Sequence, residues 1–214
     1  MRYYETVQGV NNTMKKVTRI ACYCLLTIGL LATHSANASQ DVAIDFVKNI
    51  TNGAVAIIAK DLPDSDKRKQ LTALLEQSVD TQWIAKFSMG QHWHQLSTLE
   101  QDNYVETFKH YLIGRYVPRF EDFHDAYYDI KGAELESDNS YVVHAQISTK
   151  TNETIDVAFK IHTHNNKDYK LYDVVAKGVS LLHTQRSEFA SVLARKGPKF
   201  LIKKLEKRTK VATK

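Results

Sequence analysis

The sequence predicts an α+β fold in which helices cover one face of an antiparallel sheet. Three observations predict it. Apolar residues recur at helical spacing from Ala43 to Tyr116, the period changes to two from Ala126 onward, and helical spacing returns after Gly178.

The first amphipathic helix is marked by Ala43, Phe46, Val47, Ile50, Ala54, Ile57 and Ile58, and it is expected to begin just after Ala38. Gly53 weakens it by ~1 kcal/mol relative to alanine. Pro63 breaks the chain, and Leu71, Leu74, Leu75 and Val79 mark a second helix. Asp80 can cap a third, which carries Trp83, Ile84 and Phe87 and ends at Met89 and Gly90. Ser97 and Glu100 have capping-box spacing for a long fourth helix, lined by Val105, Phe108, Leu112 and Tyr116. Pro118 lacks the donor a helix needs and should end or kink it there.

About four antiparallel strands follow. Tyr127 to Leu135 is the weakest. Tyr141, Val143, Ala145 and Ile147 alternate with Val142, His144, Gln146 and Ser148, and Ile155, Val157, Phe159 and Ile161 alternate with Asp156, Ala158, Lys160 and His162. Residues 165–168 are a turn into the strand Tyr169 to Val175, of which either alternate set could face inward, through Leu171 or Tyr172. Two helices come after Gly178, parted by Gly197 at the end of one and Pro198 in the first turn of the next.

The front end reads as a secretory leader spanning residues 1–38, with Met14 as its true start. Met14 to Arg19 is a basic segment, Ile20 to Ala32 an apolar core, and Ala36 to Ala38 a small-x-small cleavage site. The apolar core falls short of the ~20 residues of a membrane span. Cleavage leaves Ser39 to Lys214 as a single domain, released rather than anchored, because Cys22 and Cys24 both lie inside the leader and too early for a lipobox. No disulfide can then stabilise the exported chain.

The whole chain carries 29 basic and 24 acidic residues, but Arg2, Lys15, Lys16, Arg19 and Glu5 go with the leader, leaving 25 against 23. Nine of the basic residues lie between Arg195 and Lys214, beside a single Glu. A basic tail therefore follows an acidic body. Lys203, Lys204, Lys207 and Arg208 suit the end of a helix, where cations favour the macrodipole, and a transient contact with anionic membrane headgroups is the other reading. An exported compartment argues against nucleic acid.

Little in the sequence points to catalysis. Among nine histidines, His92 with His94 and His162 with His164 are the nearest pairs, and the second is read as exposed histidine beside a polar turn. Ser180, Ser187 and Ser191 lack the Gly-x-Ser-x-Gly frame of an activated nucleophile. Asp173 and Arg186 read as a structural ion pair across the Gly178 corner, with a headgroup contact as the alternative. No cofactor or metal is expected.

The segment Tyr169 to Phe189, in which a β-branched, aromatic run meets a helix through Gly178 and continues to Arg186, resembles the strand-to-helix corner of the MlaC (toluene-tolerance) family. A second block supports the resemblance: Val79, Asp80, Ile84 and Ala85, then Met89, Gly90 and Trp93, then Phe108, Leu112 and Tyr116. Together they run from about Phe46 to Leu205. Tyr169 departs from the tryptophan common in the family, and Lys177 from an acidic or polar residue.

The resemblance implies an NTF2-like cradle, a curved antiparallel sheet closed by helices, with phospholipid acyl chains held between them. It implies a soluble periplasmic phospholipid carrier that shuttles its cargo between an outer-membrane lipoprotein complex and an inner-membrane ABC transporter complex, maintaining outer-membrane lipid asymmetry. Mapped onto this chain, the helical wall is Phe46, Ile50, Phe87, Phe108, Leu112 and Tyr116. The sheet wall is Val143, Ala145, Ile147, Val157, Phe159, Ile161 and Leu171. The alternative is an exported small-molecule enzyme on the same cradle, with His144 or Asp173 as its base. A third reading is an adaptor whose cavity is filled by its own side chains.

Overall fold

A computed structural model of the protein describes residues 31–124, 126–148, 153–164 and 168–212. The chain divides into two units, Met1–Val42 and Ala43–Lys214, and the second holds the sheet and nearly all the helices. The helices are α1 (Leu31–Ile58), α2 (Asp64–Ser78), α3 (Thr81–Met89), α4 (Thr98–Tyr116), α5 (Leu181–Lys196) and α6 (Pro198–Ala212), with 3-10 turns at Gly90–Gln95 and Val117–Phe123. Between α4 and α5 run β1 (Tyr127–Ser137), β2 (Ser140–Ser148), β3 (Thr154–His164), β4 (Asp168–Ala176) and the two-residue β5 (Val179–Ser180).

The sheet is an antiparallel meander in the order β1-β2-β3-β4-β5. Register shifts between Ile130 and Gly132, between Leu135 and Ser137 of β1, and again where β3 meets β4 curve it, as bulges do. The fifth strand was hidden from the pattern because it is only two residues long. Helix α1 is also longer than its spacing suggested, beginning by Leu31, since residues 31–42 contain neither Pro nor Gly to stop it. The basic segment of the leader and both cysteines lie outside the described residues, as do residues 165–167 of the turn before β4.

The helix boundaries follow local chemistry. Asp80 caps α3 by accepting from the Trp83 N–H, and Ser97 and Glu100 form a complete capping box on α4. Pro118 coincides with the change from α4 to a 3-10 turn. Gly197 closes α5 and Pro198 opens α6.

Burial organises the apolar residues into three clusters. The first is mainly helical and joins α3, α4, α5 and α6 around Tyr104, Phe108, Phe189 and Leu201. Here α4 buries more than the single stripe its sequence suggested, adding Tyr104, Thr107 and Tyr111, because it has helices on more than one side. The second places Ala43 and Val47 of α1 against Tyr141, Val143, Ile161 and Tyr169 of the sheet. The third joins the later part of α1 to α2 through Ala54, Ile58, Leu71 and Leu75, with Val117 beneath.

Glu100 also fastens α4 to α6. Its carboxylate accepts from Lys199 Nζ at 2.7 Å and from Ser97 N and Oγ at 2.9 Å each. These partners, the lysine foremost, hold its pKa down at about 2 against an ordinary 4.5. A depressed carboxyl contributes stability that is present above its unfolded pKa and lost as pH falls through the folded one. Stability should therefore decline from pH 4.5 toward 2, and Glu100→Gln should flatten that acid limb in thermal melts. Superimposable acid limbs for the two proteins would count against this tie.

Candidate functional site

The three clusters do not close on one another completely. Where they meet lies an apolar cavity of about 200 Å³. Helix α1 contributes Ile50, α2 contributes Leu74 and Leu75 with Val79 just beyond its end, α3 contributes Ile84, and α4 contributes Leu112 and Tyr116. Strand β4 supplies the run from Leu171 to Val174, and α5 supplies Leu181, Leu182 and Gln185.

Strand β4 can give consecutive residues because it is irregular at that point. Lys160 of β3 pairs with Asp173 while the next residue, Ile161, pairs with Leu171, so Tyr172 has no opposite number. The extra residue breaks the strict alternation of faces, and both Leu171 and Tyr172 reach the cavity. The end of α2 is pinned to the same place, through a parallel bridge from Val79 to Leu171 and a hydrogen bond from Asp80 N to Leu171 O at 2.9 Å.

The corner between β4 and α5 is a two-residue turn. Lys177 (φ 51°) and Gly178 (φ 77°) both have positive φ, the arrangement of a tight hairpin whose twist matches the strands it joins. Beyond it, Asp173 accepts from Ser180 Oγ at 2.6 Å and from Leu182 N at 3.0 Å, while Ser180 Oγ accepts from His183 N at 3.0 Å. The expected ion pair with Arg186 does not form. The bond donors at the start of α5 are nearer to Asp173, and Arg186 instead lies over the Phe87 ring, 4.6 Å from its centroid. Gly90 makes room for it, since a Cβ there would come within 3.2 Å of an Arg186 nitrogen.

His162 also departs from expectation. It is largely buried, its Nε2 lies 2.8 Å from Asp80 Oδ2, and its ring stacks on Tyr172 and meets Trp83 edge-on. Alternation placed it on the polar face, but the N-terminus of α3 packs over that end of the sheet. His144 is exposed and lies 3.1 Å from Glu134. Among the described residues no group of three potential metal ligands comes together, and no helix is long and apolar enough to cross a membrane.

Of the wall residues named from the sequence, Ile50, Leu112, Tyr116 and Leu171 line this cavity. Phe46, Val143, Phe159 and Ile161 sit instead where α1 packs on the sheet, and Ala145 and Val157 are buried in the sheet. Ile147 is half-buried near the end of β2. Phe108 is fully enclosed by the helical cluster, against Tyr104, Tyr111 and Phe189. Phe87 stacks on Trp83 with ring centroids 5.3 Å apart. The cavity residues that the sequence did not assign to a wall come mainly from the end of α2 and the first turns of α5. An amphipathic stripe marks them as inward-facing but cannot tell a filled core from a cavity wall. Lys203, Lys204, Lys207 and Arg208 are exposed on α6.

Fold and site together define an α+β cradle with an apolar cavity between a curved sheet and its helices. The family model described as MlaC protein matches residues 35–207, and the chain belongs to the MlaC family. Among solved structures, it is similar to a phospholipid-binding protein from Ralstonia solanacearum in complex with a phospholipid, with a TM-score of 0.68 and 22% identity. That match covers 79% of this chain and 98% of the other, and it establishes a shared fold. A comparison with curated proteins finds no match.

The corner chemistry makes a quantitative contrast. Asp173→Ala strands the buried Leu182 N–H and removes a charged acceptor, which should cost about 3 kcal/mol. Arg186→Ala loses an exposed cation–π contact and should cost about 1 kcal/mol or less. Urea unfolding of the two variants checks this, and equal losses would mean that the two residues act as one pair after all.

Proposed function

We propose that this protein is a periplasmic phospholipid carrier, shuttling its cargo between an outer-membrane lipoprotein complex and an inner-membrane ABC transporter complex, and thereby maintaining outer-membrane lipid asymmetry. The observation that carries the reading is the apolar cavity at the junction of the three clusters, in a chain of the MlaC family. The phospholipid held by the Ralstonia protein of the same fold supports the choice of cargo. The leader-like residues 1–38 support export, with Ser39 to Lys214 as the carrier domain. The exposed basic face of α6 suits brief contact with an anionic membrane surface.

A cavity of about 200 Å³ is smaller than the ~300–1,000 Å³ typical of drug-sized ligands. Two acyl chains require its walls to separate. Helix α1 is the wall proposed to yield, since from Ala43 onward its side chains pack into two separate clusters, one on the sheet and one with α2. Asn52 and Tyr128 tie it to β1 by a side-chain hydrogen bond, which can act as a pivot.

Burying roughly 30 acyl methylenes at ~0.8 kcal/mol each would release ~24 kcal/mol relative to water, beyond the usual limit of roughly 18–21 kcal/mol for affinity. A lipid drawn from a bilayer leaves one apolar phase for another, so loading and unloading are nearly balanced. Direction then has to come from the membrane complexes that bind the loaded and unloaded forms differently. The enzyme reading lacks a base in the cavity, because His144 is exposed on the sheet and both Asp173 oxygens are occupied at the corner.

Organic extraction of the purified protein followed by mass spectrometry should yield bound phospholipid in near-stoichiometric amount. A protein that carries none and takes none from labelled vesicles contradicts the proposal. Leu171→Trp, which fills the cavity at an overpacking cost of ~1–3 kcal/mol, should lower lipid occupancy several-fold in a chain that still folds.

A further inference from the structure

Among the described residues that line the cavity, Gln185 has a buried side-chain donor whose hydrogen-bonding capacity is left open. Gln185 lines the cavity and is only 3% exposed, and its Nε2 has no hydrogen-bond partner. Asp173, another polar residue of the lining, has both oxygens engaged at the corner.

The orientation of the Gln185 amide is fixed from behind. Arg115 makes a two-pronged bond to Glu188, Nη1 to Oε2 at 3.0 Å and Nη2 to Oε1 at 3.1 Å, and its Nη1 also donates to Tyr111 Oη at 2.7 Å. Arginine can only donate, so Tyr111 accepts from it and turns its own hydroxyl hydrogen onward. That hydrogen goes to Gln185 Oε1, 3.1 Å away. The relay from Arg115 through Tyr111 therefore holds the Gln185 oxygen on the protein side. It leaves the NH₂ group as a buried, unpartnered donor on a residue of the cavity lining, one that a ligand reaches when the walls separate.

We infer that Gln185 Nε2 donates a hydrogen bond to an acyl-ester carbonyl of the bound lipid, setting how deep the glycerol end enters and selecting ester-linked over ether-linked lipid. This rests on the carrier reading and names the polar contact within it. A neutral acceptor fits the site better than a phosphate or a free carboxylate. The nearest cation in the relay, Arg115, is already neutralised by Glu188, so an anion at Gln185 would enter an apolar cavity without a counter-charge. An ester carbonyl satisfies the donor and adds no net charge. A buried donor left without a partner is costly, which is what gives one such bond its selectivity.

The test offers the purified protein two vesicle populations of equal composition, one with a labelled diacyl phosphatidylethanolamine and the other with its dialkyl ether analogue of the same chain length. The wild-type protein should take up the ester form in preference by roughly three- to tenfold, the size of one neutral hydrogen bond. Gln185→Leu should take up both equally, and Tyr111→Phe, which releases the amide from its fixed orientation, should reduce the preference. If the leucine variant fails to fold, Gln185→Asn withdraws the same donor by one methylene and should also lose the preference. Equal uptake of the two lipids by the wild type, as when a water is the donor's only partner, overturns this inference and leaves the carrier reading standing. A preference that survives both Gln185 substitutions overturns it too, and uptake of neither lipid overturns both readings.

Discussion

The buried carboxylate of Asp173 organises the end of the sheet on which the cavity depends. It stands on β4 and receives the Ser180 hydroxyl and the Leu182 N–H, so it fixes the first turn of α5 by satisfying an N–H that has no partner within the helix. Ser180 in turn caps His183, which links strand, turn and helix in one chain of hydrogen bonds. The hairpin needs this support, because Lys177 adopts a positive φ that costs a non-glycine residue roughly 1–2 kcal/mol. With α5 set in this way, Leu182 and Gln185 face the cavity while Phe189 and Leu193 enter the helical core.

Distribution of apolar surface is the second constraint. The chain forms three clusters instead of one, and β4 takes part in their junction through the bulge at Tyr172. A regular strand would have presented Leu171 and Asp173 to one side and hidden Tyr172 from it. The bulge turns one strand into a broad wall, and the bridge to Val79 keeps α2 against that wall. A cavity bounded by separately packed clusters can widen by moving one of them. Such a site suits a cargo that must enter and leave.

Much of this was legible in the sequence, and the reasons differ by feature. Asp80, Ser97 with Glu100, and Gly197 with Pro198 acted as helix signals because caps are local chemistry. The strands from Tyr141 to Ile161 were legible because burial on one face enforces period two. The bulge at Tyr172, the two-residue β5 and the contact of His162 with Asp80 depend on residues far apart in sequence, and no local pattern encodes them. Asp173 was recognisable as a fastening residue, but its partners were not, since backbone N–H groups carry no sequence signature. The division of apolar residues between wall and core is the least legible feature. Phe108 and Leu112 look alike on one helical stripe, yet one is enclosed by aromatic rings and the other borders the cavity.

The central claim is that acyl chains occupy the cavity beside β4 and not the helical core. The two tryptophans report on those places separately, because Trp83 lies against cavity-lining Tyr172 at 5.1 Å and Trp93 against buried Tyr104 at 6.4 Å. Tryptophan fluorescence should be measured in Trp83→Phe and Trp93→Phe variants loaded with phospholipid brominated along its acyl chains. Strong quenching of Trp83 with Trp93 spared is the predicted result; quenching of Trp93 alone, or of neither, would contradict it.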